Sequence, residues 1–313
     1  MKINISIFLS TGLILLLSIF GCTPAEHPKS EKLQVYTSFY PIYDFVSKIA
    51  QEKADIYNLI PPGTEVHHWE PSPTEMMRLE TADVLFYNGL GMEPWLEKIR
   101  ASLKNKNLKF ICLSTDVKLQ EGGCSHEHHG AHCHHRHDKN SDPHIWLRPL
   151  NAKKMLENIK NAFCQMDKDN DTFYTANYEK WANECMLLDT EFRNRLTPLP
   201  QKDIIVSHQA FGYLCHEYGL TQIAVEGLSP ASEPTPSRMA EILQMAKKHK
   251  VRVIFFEDQA NPKVAQELAK TLGATTDVLN PYEDLTEEQI AAGEDYFSIM
   301  RKNLLALENA LKP

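Results

Sequence analysis

The chain has 313 residues, 42% hydrophobic and 24% charged, with a formal net charge of −8. A length of this order is more than one hydrophobic core usually fills, so two lobes are expected. The acidic balance, with no basic stripe, excludes nucleic acid as a partner class.

The chain opens on Lys2 and an apolar run from Ile5 to Phe20, closed by Gly21-Cys22. A charged start, an apolar middle and a small residue at the end read as a secretory signal. The run is short for a membrane span, which needs roughly 20 residues. Ile19–Cys22 resembles a bacterial lipobox, in which Cys22 becomes the lipid-modified first residue. An unlipidated cleaved signal and a retained anchor are the alternatives. Residues 1–21 are thus expected to form the signal peptide. Residues 22–32, polar and carrying Pro24 and Pro28, are expected to form a tether.

Beyond the tether, short apolar runs alternate with helical patterns, the mark of a parallel α/β arrangement. Strands are expected near Leu33–Ser38, Ile56–Ile60, Val84–Asn88 and Lys109–Leu113, then near Asp203–Ser207, Thr221–Val225, Val251–Glu257 and Thr276–Leu279. Helical stretches fall at Ile42–Ala50, Pro73–Glu80, Pro94–Leu103, Ala210–Tyr218, Pro236–Lys248, Pro262–Leu272 and Glu287–Leu311. The fold class is therefore α/β, with two similar lobes, each a mostly parallel sheet flanked by helices. The lobes are expected over residues 33–170 and 198–313.

Between them, Asp171–Leu196 runs without Gly or Pro. Tyr174, Tyr178, Trp181, Cys185, Leu188 and Phe192 recur at spacings of three or four, an apolar helical stripe. Asp171 is placed to cap the helix and Pro198 to stop it. Such a helix is about 39 Å long at 1.5 Å per residue. Residues 171–197 thus read as a rigid backbone joining the lobes, or else as a buried helix inside one domain. Without Cys22 the cysteines are 112, 124, 133, 164, 185 and 215. Outside the cytoplasm an even number permits disulfides. Cys124 and Cys133 could pair or bind metal, and Cys164 and Cys185 form a second possible pair.

Three histidines sit where elements change: His67 in "LIPPGTEVHHWEPS", His144 in "SDPHIWLRP" and His208 in "DIIVSHQAFGYL". Ligands of parallel α/β sheets bind beyond the carboxyl ends of the strands, so the three could converge. Three neutral imidazoles with one further position suit Zn²⁺. Spacing alone does not decide this, because no HExxH or paired CxxC is present. A structural, hydrogen-bonded role is the competing reading of each histidine.

The segments "YTSFYPIYDFVSKIA", "PPGTEVHHWEPSPTEMMRLETADVLFYNGLGMEPWLEK", "DPHIWLRPLNAKKMLENIKNAF", "VSHQAFGYLCHEYGL" and "EPTPSRMAEILQMAKKHKVRVIFFEDQANPKVAQELAKTLGA" together resemble the zinc/manganese-type solute-binding lipoproteins of bacterial ABC importers. The resemblance implies two α/β lobes joined by one rigid helix, limited lobe motion, and one Zn²⁺ held in the interlobe cleft for delivery to a membrane permease. It further implies a monomer outside the cytoplasm, in the periplasm or on the cell surface, held to the membrane by its lipid. His67, four residues after Gly63, matches the first ligand, with His68 as its rival; His144 and His208 match the second and third. Zinc-type relatives tend to carry His at the third position and manganese-type relatives Glu. The family's fourth ligand, an acid, is expected in "VLNPYEDL", where Asn280 stands in its place. This implies a three-histidine site completed by water or another oxygen. Asn280, Glu257 and Glu65 are the candidates for fourth donor or supporting partner, with Glu121 or a loop histidine also within consideration.

Residues 122–140 hold His126, His128, His129, His132, His134, His135 and His137, seven of the chain's 14 histidines. This polar, Gly-containing run cannot build a core and reads as a loop. Zinc-type relatives often carry such a loop, so it is expected to gather further weakly bound ions as an accessory; a tolerated insertion is the bland alternative. Three other functions stay open. They are a manganese- or iron-binding member of the same family, metal storage by the loop alone, and a zinc hydrolase. No recognised catalytic motif supplies a general base, so no enzyme is expected.

Overall fold

The structure, a computed structural model, describes residues 32–119, 141–228, 234–258 and 262–313. The expected signal peptide and all but the last residue of the tether, Cys22, the loop histidines His126–His137, Cys124 and Cys133 lie outside the described residues. The first half contains β1 (Leu33–Thr37), α1 (Tyr40–Ala50), β2 (Ala54–Asn58), α2 (Pro73–Leu79), β3 (Val84–Tyr87), α3 (Leu96–Ser102) and β4 (Lys109–Cys112). Two long helices follow, α4 (Pro149–Met166) and α5 (Asp171–Leu196). The second half contains β5 (Asp203–Val206), α6 (Gly212–Tyr218), β6 (Thr221–Ala224), α7 (Pro236–His249), β7 (Val253–Phe256), α8 (Lys263–Leu272) and β8 (Thr275–Val278), then α9 (Glu287–Ala291) and α10 (Tyr296–Leu311).

Each half forms one four-stranded sheet, and every pairing is parallel. The orders are the same in both, β2-β1-β3-β4 and β6-β5-β7-β8. Strand β3, "VLFY", is buried throughout, as a strand covered on both faces must be. Its side chains alternate between two cores. Val84 and Phe86 join the large central cluster, while Leu85 and Tyr87 join Trp95, Leu96 and Ile99 on the opposite face. The central cluster also takes Val206 and Phe255 from the second sheet, with Phe192 of α5 and Tyr296 of α10. One apolar layer therefore runs through both lobes. Each large side chain fully buried there contributes about 1.5–3 kcal/mol, so prying the lobes apart is costly.

Local signals start and stop the helices. Ser72 and Glu75 close a capping box on α2, and Asp295 accepts from Ser298 N–H to start α10. Gly219 (φ +68°) ends α6 in the left-handed conformation. Helix α5 packs on α4, α1, α10 and α6, touching elements of both halves. It begins at Asp171 as expected, but that residue lies in the first turn, where its charge favours the helix dipole; no side-chain bond caps this end.

All eight expected strands are present, with ends shifted by at most two residues. The expected helix Glu287–Leu311 is two helices, broken where Gly293 adopts φ +77°. Helix α4 is an addition, stacked against α5 as an antiparallel neighbour. The possible Cys164–Cys185 pair does not form, and both thiols are free, as are those of Cys112 and Cys215. Cys164 Sγ lies 4.0 Å from the Asp171 carbonyl, at the start of α5. Cys185 is farther along the same helix, about 20 Å away at 1.5 Å per residue, beyond any disulfide.

Candidate metal centre

His67 sits in the long connection between β2 and α2. Gly63 turns the chain there at φ +75°. Glu65 then folds its carboxylate back on the backbone, accepting from the N–H of His67 (2.8 Å) and of His68 (2.9 Å). Val66 is buried beneath, so the next side chain, His67, turns inward while His68 is exposed. Glu65 is thus a brace for the loop.

His144 precedes a short 3₁₀ turn, Ile145–Leu147, that leads into α4. Its backbone N–H and its ring Nδ1 both meet Asp142 Oδ1, at 2.9 and 2.7 Å. With Nδ1 protonated toward Asp142, Nε2 presents a lone pair. The segment is tied to the first sheet by Asn88, whose amide donates to the Pro143 carbonyl at 2.9 Å. Asn88 is held by Glu93, which accepts from Asn88 N–H (2.8 Å), Gly89 N–H (2.9 Å) and the Ser38 hydroxyl (2.7 Å). Ser38 and Asn88 follow β1 and β3, where the order of the first sheet reverses.

The second sheet reverses between β5 and β7, and His208 and Glu257 follow those two strands. Glu257 Oε1 takes the Nδ1 of His208 at 2.6 Å, again leaving Nε2 for a ligand. Glu257 is therefore a partner of the imidazole, as expected for a supporting residue, and stands behind it.

The fourth group to join the three histidines is Glu283, which the sequence reading did not single out. His67 Nε2, His144 Nε2 and His208 Nε2 lie 3.4, 2.9 and 3.2 Å from its Oε1. His144 and His208 Nε2 are 3.4 Å apart. One donor atom from each of the four residues falls within 4.8 Å of all the others. A tetrahedron with bonds of about 2.0–2.1 Å has edges of roughly 3.3 Å, and these four separations, 2.9–3.4 Å, lie close to that edge. The three imidazoles are buried and Glu283 half-buried. His67 Nε2 has no hydrogen-bond partner among the described residues. A buried nitrogen left so is costly unless something else is to bind it.

Electrostatics favour positive charge here. Burial pushes the His208 imidazole down, but the charges and hydrogen bonds of Glu283 and Glu257 outweigh it and hold it well above its ordinary range. His144 is likewise pushed down by burial and raised overall by Asp142 and Glu283. Burial pushes Glu283 up, yet the charge of His208 and the hydrogen bonds of His144 and His208 keep it well below the usual carboxylate range. The carboxylates thus create a locus for a cation, whether proton or metal.

The side chain of Asn280 is committed elsewhere. Its amide donates to Asp258 (3.0 and 3.1 Å) and its oxygen accepts from Tyr282 N–H (2.6 Å). Asn280 shapes the loop from which Glu283 projects, three residues on. "VLNPYEDL" did contain that acid, but Tyr282 adopts φ +55°, which re-aims the chain in a way residue spacing does not reveal.

The fold and donor set define an α/β solute-binding protein with a candidate metal centre. The profile of the family "Zinc-uptake complex component A periplasmic" (ZnuA) matches residues 35–310, and the chain belongs to that family. It is 38% identical over 277 residues to the zinc-binding lipoprotein AdcA of Streptococcus pneumoniae, covering 88% of this chain and 55% of that protein. It is 37% identical over 283 residues to the high-affinity zinc uptake system protein ZnuA of Bacillus subtilis, covering 90% of this chain and 89% of that one. The crystal structure of the Zn(II)-bound ZnuA-like domain of S. pneumoniae AdcA superposes with a TM-score of 0.77 at 36% identity, covering 90% of this chain and all of that domain. Among the described residues, no helix is long and apolar enough to cross a membrane.

Proposed function

We propose that this protein captures one Zn²⁺ between its lobes, on His67, His144, His208 and Glu283, and delivers it to the permease of an ABC importer. The observation that carries this reading is the convergence of three imidazole nitrogens on one carboxylate oxygen at 2.9–3.4 Å, with all four atoms within 4.8 Å of one another. Three nitrogens and one oxygen suit zinc, whereas Mn²⁺ prefers more oxygen donors. The zinc-binding relatives support the same choice. Four protein donors leave no place for the activated water of a catalytic zinc, which favours carriage over hydrolysis. Cys22 is the lipid-bearing anchor outside the cytoplasm, the chain acts as a monomer, and the histidine run from His126 to His137 is an accessory that holds further ions weakly. Zinc-edge X-ray absorption of the protein loaded with one equivalent tests the site. Three imidazoles and one carboxylate oxygen at about 2.0–2.1 Å are expected. Sulfur ligation, or a sphere unchanged by His208→Ala, would overturn it.

A further inference from the structure

The residues on either side of Glu283 are bonded across to the other half of the molecule. Tyr282, immediately before it, donates its hydroxyl to Asp44 Oδ2 on α1 at 2.9 Å. Asp284, immediately after it, accepts from the N–H of Gly63, in the connection that carries His67. Pro281 joins them, its carbonyl accepting from Trp146 Nε1 at 2.8 Å, two residues past His144. On its own side the loop is held by Asn303 of α10, which exchanges bonds of 2.9 and 2.6 Å with the Asn280 backbone. Tyr282 is fully buried and left-handed at φ +55°, a conformation a bulky residue keeps only when its surroundings impose it. Glu283 thus projects from a loop pinned to both lobes, and the pins that flank it come from the lobe that supplies His67 and His144.

We propose that Tyr282 and Asp284 form a clasp that positions Glu283. Their bonds to Asp44 and Gly63 set the reach of the carboxylate to the three imidazoles, and their rupture as the lobes part withdraws the fourth donor first. Zinc release is then gated by the carboxylate, while His144 and His208 stay oriented by Asp142 and Glu257, each within its own lobe. This inference rests on the reading of Glu283 as a zinc donor.

The test is a double-mutant cycle on zinc dissociation, followed by chelator competition, with Tyr282→Phe and Asp284→Asn each made in the wild-type and Glu283→Gln backgrounds. Tyr282→Phe loses only the hydroxyl, and Asp284→Asn loses charge on the opposite flank. Asp44 is left alone because it also accepts from Tyr296 N–H and pairs with Lys48. Each single variant is expected to speed dissociation on the order of three- to tenfold, from the loss of one hydrogen bond in Tyr282→Phe and the weakening of a charge-assisted one in Asp284→Asn. Neither should speed it further once Glu283 is Gln. In the Co²⁺-loaded protein, both should weaken the four-coordinate visible bands as Glu283→Gln does. A merely structural bond would lower the apo melting temperature without these signatures. If Tyr282→Phe does not fold, Asp284→Asn carries the same cycle. Additive effects in the Glu283→Gln background, or unchanged dissociation, would overturn the clasp. An inert Glu283→Gln would overturn the zinc-donor reading itself, and the clasp with it.

Discussion

The two sheets share a strand order, and each has a carboxylate at the point where that order reverses, but the carboxylates do different work. In the first sheet Glu93 is buried and spends its oxygens on Ser38, Asn88 and Gly89. In the second, half-buried Glu257 spends one on the imidazole of His208. Glu93 reaches the histidine cluster only at a remove, through Asn88 and Pro143 to His144. Repeated topology therefore supplies two equivalent places for an acid; the local chemistry decides whether that place braces a loop or aims a ligand.

Removing a donor has the largest expected effect. A structural zinc site is worth roughly 10–16 kcal/mol, about 3 kcal/mol for each of four donors, so His208→Ala should weaken zinc binding by on the order of a hundredfold or more. Competitive titration against a chromophoric chelator measures it. Next comes Glu257→Ala, which removes the orienting partner and leaves the ligand. Loss of such a partner typically costs about 10- to 100-fold in affinity. The same variant moves acid release. Protons compete with zinc for His144 and His208, both raised, so affinity should fall on acidification from above the ordinary imidazole range. Without Glu257, His208 is less basic, so the pH below which affinity falls away from its own plateau should move down.

Glu93→Gln should change zinc affinity by no more than a few-fold and show itself in stability instead. Burial pushes Glu93 up to about 7, despite its three donors. Its native value lies above the unfolded one of about 4.3, so its contribution is full below that pH and is lost as pH rises through about 7. The difference between the wild-type and Glu93→Gln unfolding curves should therefore slope across that window, by roughly 4 kcal/mol in all. A flat difference, or a zinc defect as large as that of Glu257→Ala, would erase the contrast between the two acids.

The sheets were legible in the sequence because buried parallel strands such as "VLFY" and "VIFF" are continuous apolar runs between turn residues. Helix α4 was equally legible and absent from the expected elements. Ala152, Met155, Leu156, Ile159, Ala162 and Phe163 recur at helical spacing and are all buried. Three of the four clustered donors stood out as histidines at changes of element. Glu283 did not, because its role depends on the left-handed Tyr282 before it and on tertiary bonds to Asp44 and Gly63. The cysteine pairing stayed open in the sequence for a similar reason, since spacing says nothing of the level of two cysteines along two stacked helices; Cys164 and Cys185 are both free.

The most direct measurement is a zinc titration of the mature protein lacking residues 124–137, with excess Mn²⁺ as competitor. One tight Zn²⁺ per chain, undisturbed by Mn²⁺, is the expected result, because all four clustered donors lie outside the deleted run. Loss of tight zinc binding on deletion, or displacement of zinc by manganese, would contradict a three-histidine, one-glutamate zinc site.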